Sequence, residues 1–329
     1  MNKIYFSIIL FSFMIFSCNK INEIPKSNDS SNKIPNSKIK IGFLDIVEDA
    51  TLAKAREGFV SALKENGYHD KKNIDILFRN AQGDITTLTQ AVDYFVSENV
   101  DLIATNSTIC TITSVQRNKE IPVCMMVSPS PKNANLTDSL GNPPKNLFGI
   151  YETLDYIDTA VNLIPTILPS VKKIGAIYNQ AEPQSQNALD KLKDKCKALN
   201  LELEVLPVNN SSEVMLVTET LLSKNIDVFF ALPDNVVFSS FETIAKSCNK
   251  AKVPIFTCEA GLVQRGAVAG FGADMYAWGH AAGLQAVEYL ISKKLLPKPE
   301  LLRKRQKMQN EEVAMLYNIK FDSNFIKVH

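Results

Sequence analysis

The chain has 329 residues, a formal net charge of +1, 45% hydrophobic and 22% charged residues. That length allows a large core in one or two domains, and the near-neutral charge leaves no basic footprint for nucleic acid. The balance is that of a soluble α/β protein.

The first residues stand apart. Asn2 and Lys3 make a short positive start, and residues 4–16 form an almost unbroken apolar run, too short for a typical transmembrane helix. The run ends in Ser17-Cys18. A small residue directly before Cys resembles the lipobox of bacterial lipoproteins, with Phe16 bulkier than usual. That resemblance implies a signal peptide over 1–17 and lipidation of Cys18, against an ordinary signal peptide with a chance Cys or an uncleaved anchor. Residues 18–38, rich in Ser, Asn, Lys and Pro, read as a flexible tether. Of six Cys, the five beyond Cys18 show no CxxC spacing and no zinc pattern. Buried thiols are the preferred reading, with one disulfide open in an exported protein.

From residue 40 the pattern alternates short apolar runs with helical periods. Strands are expected at 40–47, 74–79, 101–104, 123–127 and 147–151, with helices at 51–66, 84–98 and 108–118 between them. Gly67 reads as a helix C-cap. Residues 128–146, with four prolines among them, read as a long loop. The second half repeats the rhythm. Helices are expected at 154–168, 184–199, 212–223, 236–251 and 275–294, and strands at 172–178, 202–207, 227–232, 253–258 and 268–272. The basic segment 301–310 fits neither period, and 313–321 reads as a last strand.

The two halves echo each other. Asn99-Val-Asp-Leu-Ile-Ala answers Asn225-Ile-Asp-Val-Phe-Phe-Ala, Ile121-Pro-Val answers Val253-Pro-Ile, and Lys40-Ile-Gly answers Lys173-Ile-Gly. Strands alternating with helices imply parallel sheets with right-handed crossovers. Two such units predict two βα lobes around a cleft: 39–149 with 276–294, and 150–275 with about 311–329. Hinge strands are expected near 148–151 and 271–274.

No GxSxG, HExxH, Walker A or GxGxxG motif is present, and the three His are scattered. The Gly270-Phe-Gly272 fragment lacks its third glycine. The chemistry lies at strand ends, where α/β folds bind ligands. Glu48, Thr105, Asn106, Ser107 and Ser128 follow strands of the first half, and Tyr151 ends its return strand. Asn179, Glu182, Asp234, Asn235 and Glu259 follow strands of the second. Hydroxyls and helix N-termini suit a carboxylate, and carboxylates and amide oxygens suit an ammonium. The same residue types are also favoured as caps and turns, so Asp234 is either a ligand contact or a helix cap.

Several stretches between residues 39 and 294 resemble ABC-transporter substrate-binding proteins of the TrpX type, within the type I periplasmic-binding-protein fold. The most specific are VKKIGAIYNQAEPQSQ, ALPDNVVFSSFE and VPIFTCEAGLVQRGAVAGFGADMYAWG. Gln180 stands where the family usually has Pro, and the 105–108 loop departs from its pattern. The resemblance implies a non-enzymatic, monomeric receptor without metal or cofactor, closing its lobes on an amino acid, with aromatic amino acids as the ligands of the characterised branch. Its partners would be a permease, an ATPase and a membrane reached through the lipid anchor. A sensor of the same fold and an exported enzyme are the competing readings.

Overall fold

In the computed structural model, residues 38–292, 296–321 and 324–328 are described, so Cys18 and the tether lie outside the described residues. The first half runs β1 (Ile39–Asp45), α1 (Ala50–Glu65), β2 (Ile74–Asn80), α2 (Ile85–Ser97), β3 (Leu102–Thr105), α3 (Thr108–Arg117), β4 (Val123–Met125) and β5 (Leu147–Tyr151). The second runs α4 (Tyr156–Ile167), β6 (Lys173–Asn179), α5 (Pro183–Ala198), β7 (Glu202–Val208), α6 (Val214–Leu222), β8 (Val228–Ala231), α7 (Asn235–Ser239), α8 (Phe241–Ala251), β9 (Ile255–Glu259), α9 (Ala260–Gln264) and β10 (Ala269–Ala273). Then follow α10 (Met275–Ser292), β11 (Glu300–Leu301), β12 (Arg305–Asn310), α11 (Glu311–Leu316) and β13 (Ile326–Val328).

The strands form two sheets, ordered β11-β5-β4-β3-β1-β2 and β13-β12-β10-β9-β8-β6-β7. Every pairing is parallel except β10 with β12. The architecture is the expected α/β one, and helices cover both faces, so central strands such as β3 and β8 are buried at every residue. In each sheet the second strand lies outside the first and the third on its other side, which puts a switch point between β1 and β3 and another between β6 and β8.

The chain passes between the sheets three times: after Tyr151, between residues 273 and 275, and between Leu301 and Arg305. Helix α10 packs on α1 and β5 of the first sheet. A Cβ at Gly279 would lie 1.7 Å from the Ala55 carbonyl oxygen, and one at Gly58 would lie 2.1 Å from that of Tyr276. The two helices therefore touch backbone to backbone.

Three expectations change. Residues 236–251 form two helices, because the chain breaks at Ser240 (φ −119°, ψ 14°) in a Ser-Ser step that favours caps over helix interiors. Residues 313–321 do not form a strand. The Asn310 side chain accepts from Val313 N at 3.0 Å, and Glu311 and Glu312 sit in the first turn, both of which favour helix α11. The basic segment is an edge-to-core strand, β12, laid antiparallel on β10. Of the cysteines in the described residues, Cys110, Cys124, Cys196, Cys248 and Cys258 are all buried and unbridged.

Alanine at a helical glycine normally gains stability, but at Gly279 the approach of Ala55 reverses the sign. Gly279→Ala is expected to lose about 1–3 kcal/mol of unfolding free energy, the range for overpacking, read as a lowered denaturant midpoint at unchanged slope.

Candidate functional site

The loops after β1, β3, β6 and β8 are held by buried acids. Asp45, at the end of β1, accepts from Asn106 Nδ2 at 2.7 Å and pairs with Arg56. Asn106 also donates to the Leu52 carbonyl at 3.0 Å. In the second sheet Asp234 does the equivalent work. Its Oδ1 caps α7 by accepting from Val236 N and Val237 N at 2.8 and 3.1 Å. Its Oδ2 accepts from Asn179 N at 2.6 Å and from the Ser185 hydroxyl.

Beside these loops, groups from both sheets enclose a narrow cavity of about 20 Å³. Ser107, Thr108 and Val127 come from the first half, and Met275 and Trp278 from the start of α10. Glu152, Tyr156, Gln184, Pro233, Asn235, Phe238 and Glu259 come from the second half and the first crossing. Three of the twelve lining residues are aromatic, Tyr156, Phe238 and Trp278, and six more are polar.

Glu152 and Glu259 are each 1% exposed. The Tyr156 hydroxyl donates to Glu259 Oε1 at 3.0 Å, and Gln184 Nε2 donates to Glu152 Oε1 at 3.4 Å. Among the described residues the other carboxylate oxygen of each, Oε2, has no hydrogen-bond partner, and neither has Gln184 Oε1. Arg305, from the third crossing, lies 3.6 Å from Glu152 Oε2, with its guanidinium over the rings of Tyr156 (4.5 Å) and Trp278 (5.0 Å). Two buried carboxylates therefore face this cation. Burial pushes Glu152 up to about 8, against the pull of Arg305. Burial and the neighbouring Glu152 push Glu259 well above the usual carboxylate range. On the opposite side, the Thr108 hydroxyl is buried without a partner at the N-terminus of α3, whose first N–H groups lie outside the helical ladder.

Of the eleven residues expected to bind, Ser107, Asn235 and Glu259 line this cavity. Asn235 also donates to Glu182 Oε2 at 2.7 Å, and Glu182 accepts from Asn179. Burial and the charge of Asp234 raise the Glu182 pKa. Thr105 bonds inward to Thr111 at 2.8 Å, and Ser128 is buried off the cavity with an unpartnered hydroxyl. Tyr151 packs at the edge of a small apolar cluster. Glu48 is exposed, 3.6 Å from Arg56. Asp234 caps α7 and ties the loop after β8 to Asn179, and it does not line the cavity. The sequence reading missed Glu152, Tyr156, Gln184, Phe238, Trp278 and Arg305. Glu152 directly follows Tyr151, and Trp278 is the chain's single tryptophan. For Arg305 no local signal existed.

Two doubly wound sheets with their switch points beside one polar cavity are the architecture of a ligand-binding protein. The family model for ABC transporter substrate binding proteins matches residues 40–300, and the chain belongs to that family. A tyrosine-binding protein of Clostridioides difficile (strain R20291) is 36% identical over 280 residues, covering 85% of this chain and 81% of that one. An ABC domain in complex with L-Trp from Streptococcus pneumonia matches with TM-score 0.82 at 26% identity, covering 89% of this chain and 100% of that one. A ligand-free, open substrate-binding protein with adhesive properties from Clostridium difficile matches at 0.64 and 30% identity, covering 88% and 99%.

Stability should track these acids. Glu152 is neutral in the fold up to about pH 8 but ionises near 4.5 when unfolded, so unfolding releases a proton between those values. Asp45, raised to about 7 chiefly by burial, acts in the same direction. The ligand-free protein is therefore expected to lose stability as pH rises from 5 to 8. Glu152→Gln should flatten that fall by an amount on the order of a few kcal/mol, measured by denaturant unfolding at each pH.

Proposed function

We propose that the chain is a lipid-anchored, extracytoplasmic receptor of an ABC importer. It captures an aromatic amino acid as its zwitterion by closing two lobes, and hands it to a permease driven by an ATPase. The lobes are 39–149 with 276–294 and 150–275 with the C-terminal stretch, in which β12 also belongs to the second sheet. The observation that carries the reading is the pair of buried oxygens, Oε2 of Glu152 and of Glu259, that have no hydrogen-bond partner among the described residues. With Arg305 as the cation beside them, the two buried carboxyls are held protonated, because an unpaired buried charge is costly. An ammonium group supplies a second positive charge and three donors. Its carboxylate then falls to Ser107, Thr108 and the start of α3, where N–H dipoles favour an anion. Tyr156, Phe238 and Trp278 supply aromatic surface.

The relatives support the ligand class, one bearing the name tyrosine-binding and another holding L-Trp. The greater likeness to the L-Trp complex than to the open, ligand-free structure, despite lower identity, supports reading the present arrangement as the closed one. The anchor rests on the apolar run ending in Ser17-Cys18. Several acyl chains hold a protein at a membrane where one alone does not.

Calorimetric titration tests the site. L-tyrosine or L-tryptophan should bind, and 3-indolepropionate, which lacks the amine, should not. Glu259→Gln is expected to weaken binding by about 2–5 kcal/mol, the range for losing one member of a buried charge pair. Equal affinity for the deaminated analogue would sink the ammonium site. For the anchor, Cys18→Ser should move the protein from the membrane pellet to the soluble fraction, and an unchanged pellet would refute lipidation.

A further inference from the structure

Arg265 follows α9, away from the cavity lining, and all five of its N–H donors are spent. Nε donates to Glu242 Oε1 at 2.8 Å, and Nη2 donates to Glu242 Oε2 at 2.9 Å and to the Phe238 carbonyl at 2.8 Å. These partners stand in α7 and α8, on the same sheet as Arg265. Nη1 reaches the other sheet, donating to Asp49 Oδ2 at 2.6 Å and to Thr51 Oγ1 at 3.1 Å at the start of α1. The Asp49 side chain is fully buried and that of Arg265 is 14% exposed. Around the pair the two sides meet tightly: a Cβ on Gly261 of α9 would stand 2.8 Å from Thr51 Cγ2.

We infer that Arg265 is a positioning residue for ligand capture, and that its ion pair with Asp49 is a latch which forms when the lobes close and sets how long they stay closed. Each half of the latch is held without the other. Asp49 Oδ1 accepts from Thr51 N and Leu52 N at 2.8 and 2.9 Å as the cap of α1, so the carboxylate keeps its place when the lobes part. Arg265 keeps the forked bond to Glu242 and the bond to Phe238. Closure therefore adds two charge-assisted bonds between groups already ordered, at little further loss of side-chain freedom. The latch also reaches the ligand through one atom of backbone. Phe238, whose carbonyl Arg265 holds, is a wall of the cavity. A ligand that seats Phe238 correctly seats Arg265 for Asp49, although neither latch residue touches the ligand.

The test uses Asp49→Asn, which removes the charge and keeps the α1 cap because Asn caps as well as Asp, and Arg265→Gln. Dyes on Leu140→Cys and Leu216→Cys, exposed positions in the first and second halves, report closure in single molecules. A Cys18→Ser background limits labelling to those two sites, since Cys110, Cys124, Cys196, Cys248 and Cys258 are buried. Both latch variants are expected to shorten closed dwell times of the ligand-free protein by about tenfold or more, as loss of a buried charge partner acts mainly on the opening rate. Dissociation of L-tyrosine and of L-tryptophan should quicken by one common factor with association nearly unchanged, and the unfolding midpoint of ligand-free Asp49→Asn should stay at the parent value. Unchanged dwell times, or a loss confined to one ligand, would overturn the latch, as would an equal loss of ligand-free stability, which marks a merely structural role. The latch rests on the proposed ligand class only for these two probes. A parent that binds neither amino acid refutes the ligand class, while the dwell times still decide the latch.

Discussion

The structure depends on two buried acids held beside one arginine. Glu152 and Glu259 are buried beside each other and Arg305, each with one oxygen that lacks a hydrogen-bond partner among the described residues. Packing the same volume with apolar residues would cost far less, so the fold carries a local penalty that the proposed ammonium group would relieve. The surroundings hold the penalty in place. Arg305 lies over the rings of Tyr156 and Trp278, Trp278 Nε1 donates to the Lys304 carbonyl at 3.3 Å, and Gln306 donates to Asp274 at 2.7 Å. Each of the three crossings between the sheets contributes to this knot.

Away from the knot, the two halves solve the same problem with the same parts in opposite order. A doubly wound sheet splays its first and third strands at the switch point, and the loops leaving them need a tie. In the first sheet the acid stands on the first strand and the amide after the third, as Asp45 and Asn106. In the second the acid stands after the third strand, and Asp234 binds the backbone of Asn179 on the first. These ties explain why polar residues concentrate at strand ends without all of them facing the cavity. A loop that must present one side chain to a ligand spends several others on its own backbone.

That division marks what the sequence could tell. Alternation of apolar runs and helical periods is local, and it disclosed both sheets, most helices and the edge where the site lies. The internal echo pointed to two similar halves because strand, loop and helix repeat together. Choosing among strand-end polar residues was harder, since Asp234 as a cap and Asp234 as a ligand contact leave the same trace in the chain. Glu152, Trp278 and Arg305 meet only because three crossings converge, with Glu152 and Arg305 more than 150 positions apart in the chain. A strand such as β12, basic and without clear alternation, gives no sign of which residue it will bury.

The convergence of the crossings has a consequence for selectivity. The floor of the cavity and the pivot about which the lobes would turn are built from neighbouring residues, 152, 275 and 305. Displacement about a pivot grows with distance from it, so a side chain that sits slightly too high on this floor tilts the lobes by a small angle and parts their far edges by a larger gap. Under the proposed closure the fold would work as a lever with a short arm at the ligand. Discrimination between solutes of similar shape can then be made outside the cavity, by whether the distant surfaces meet.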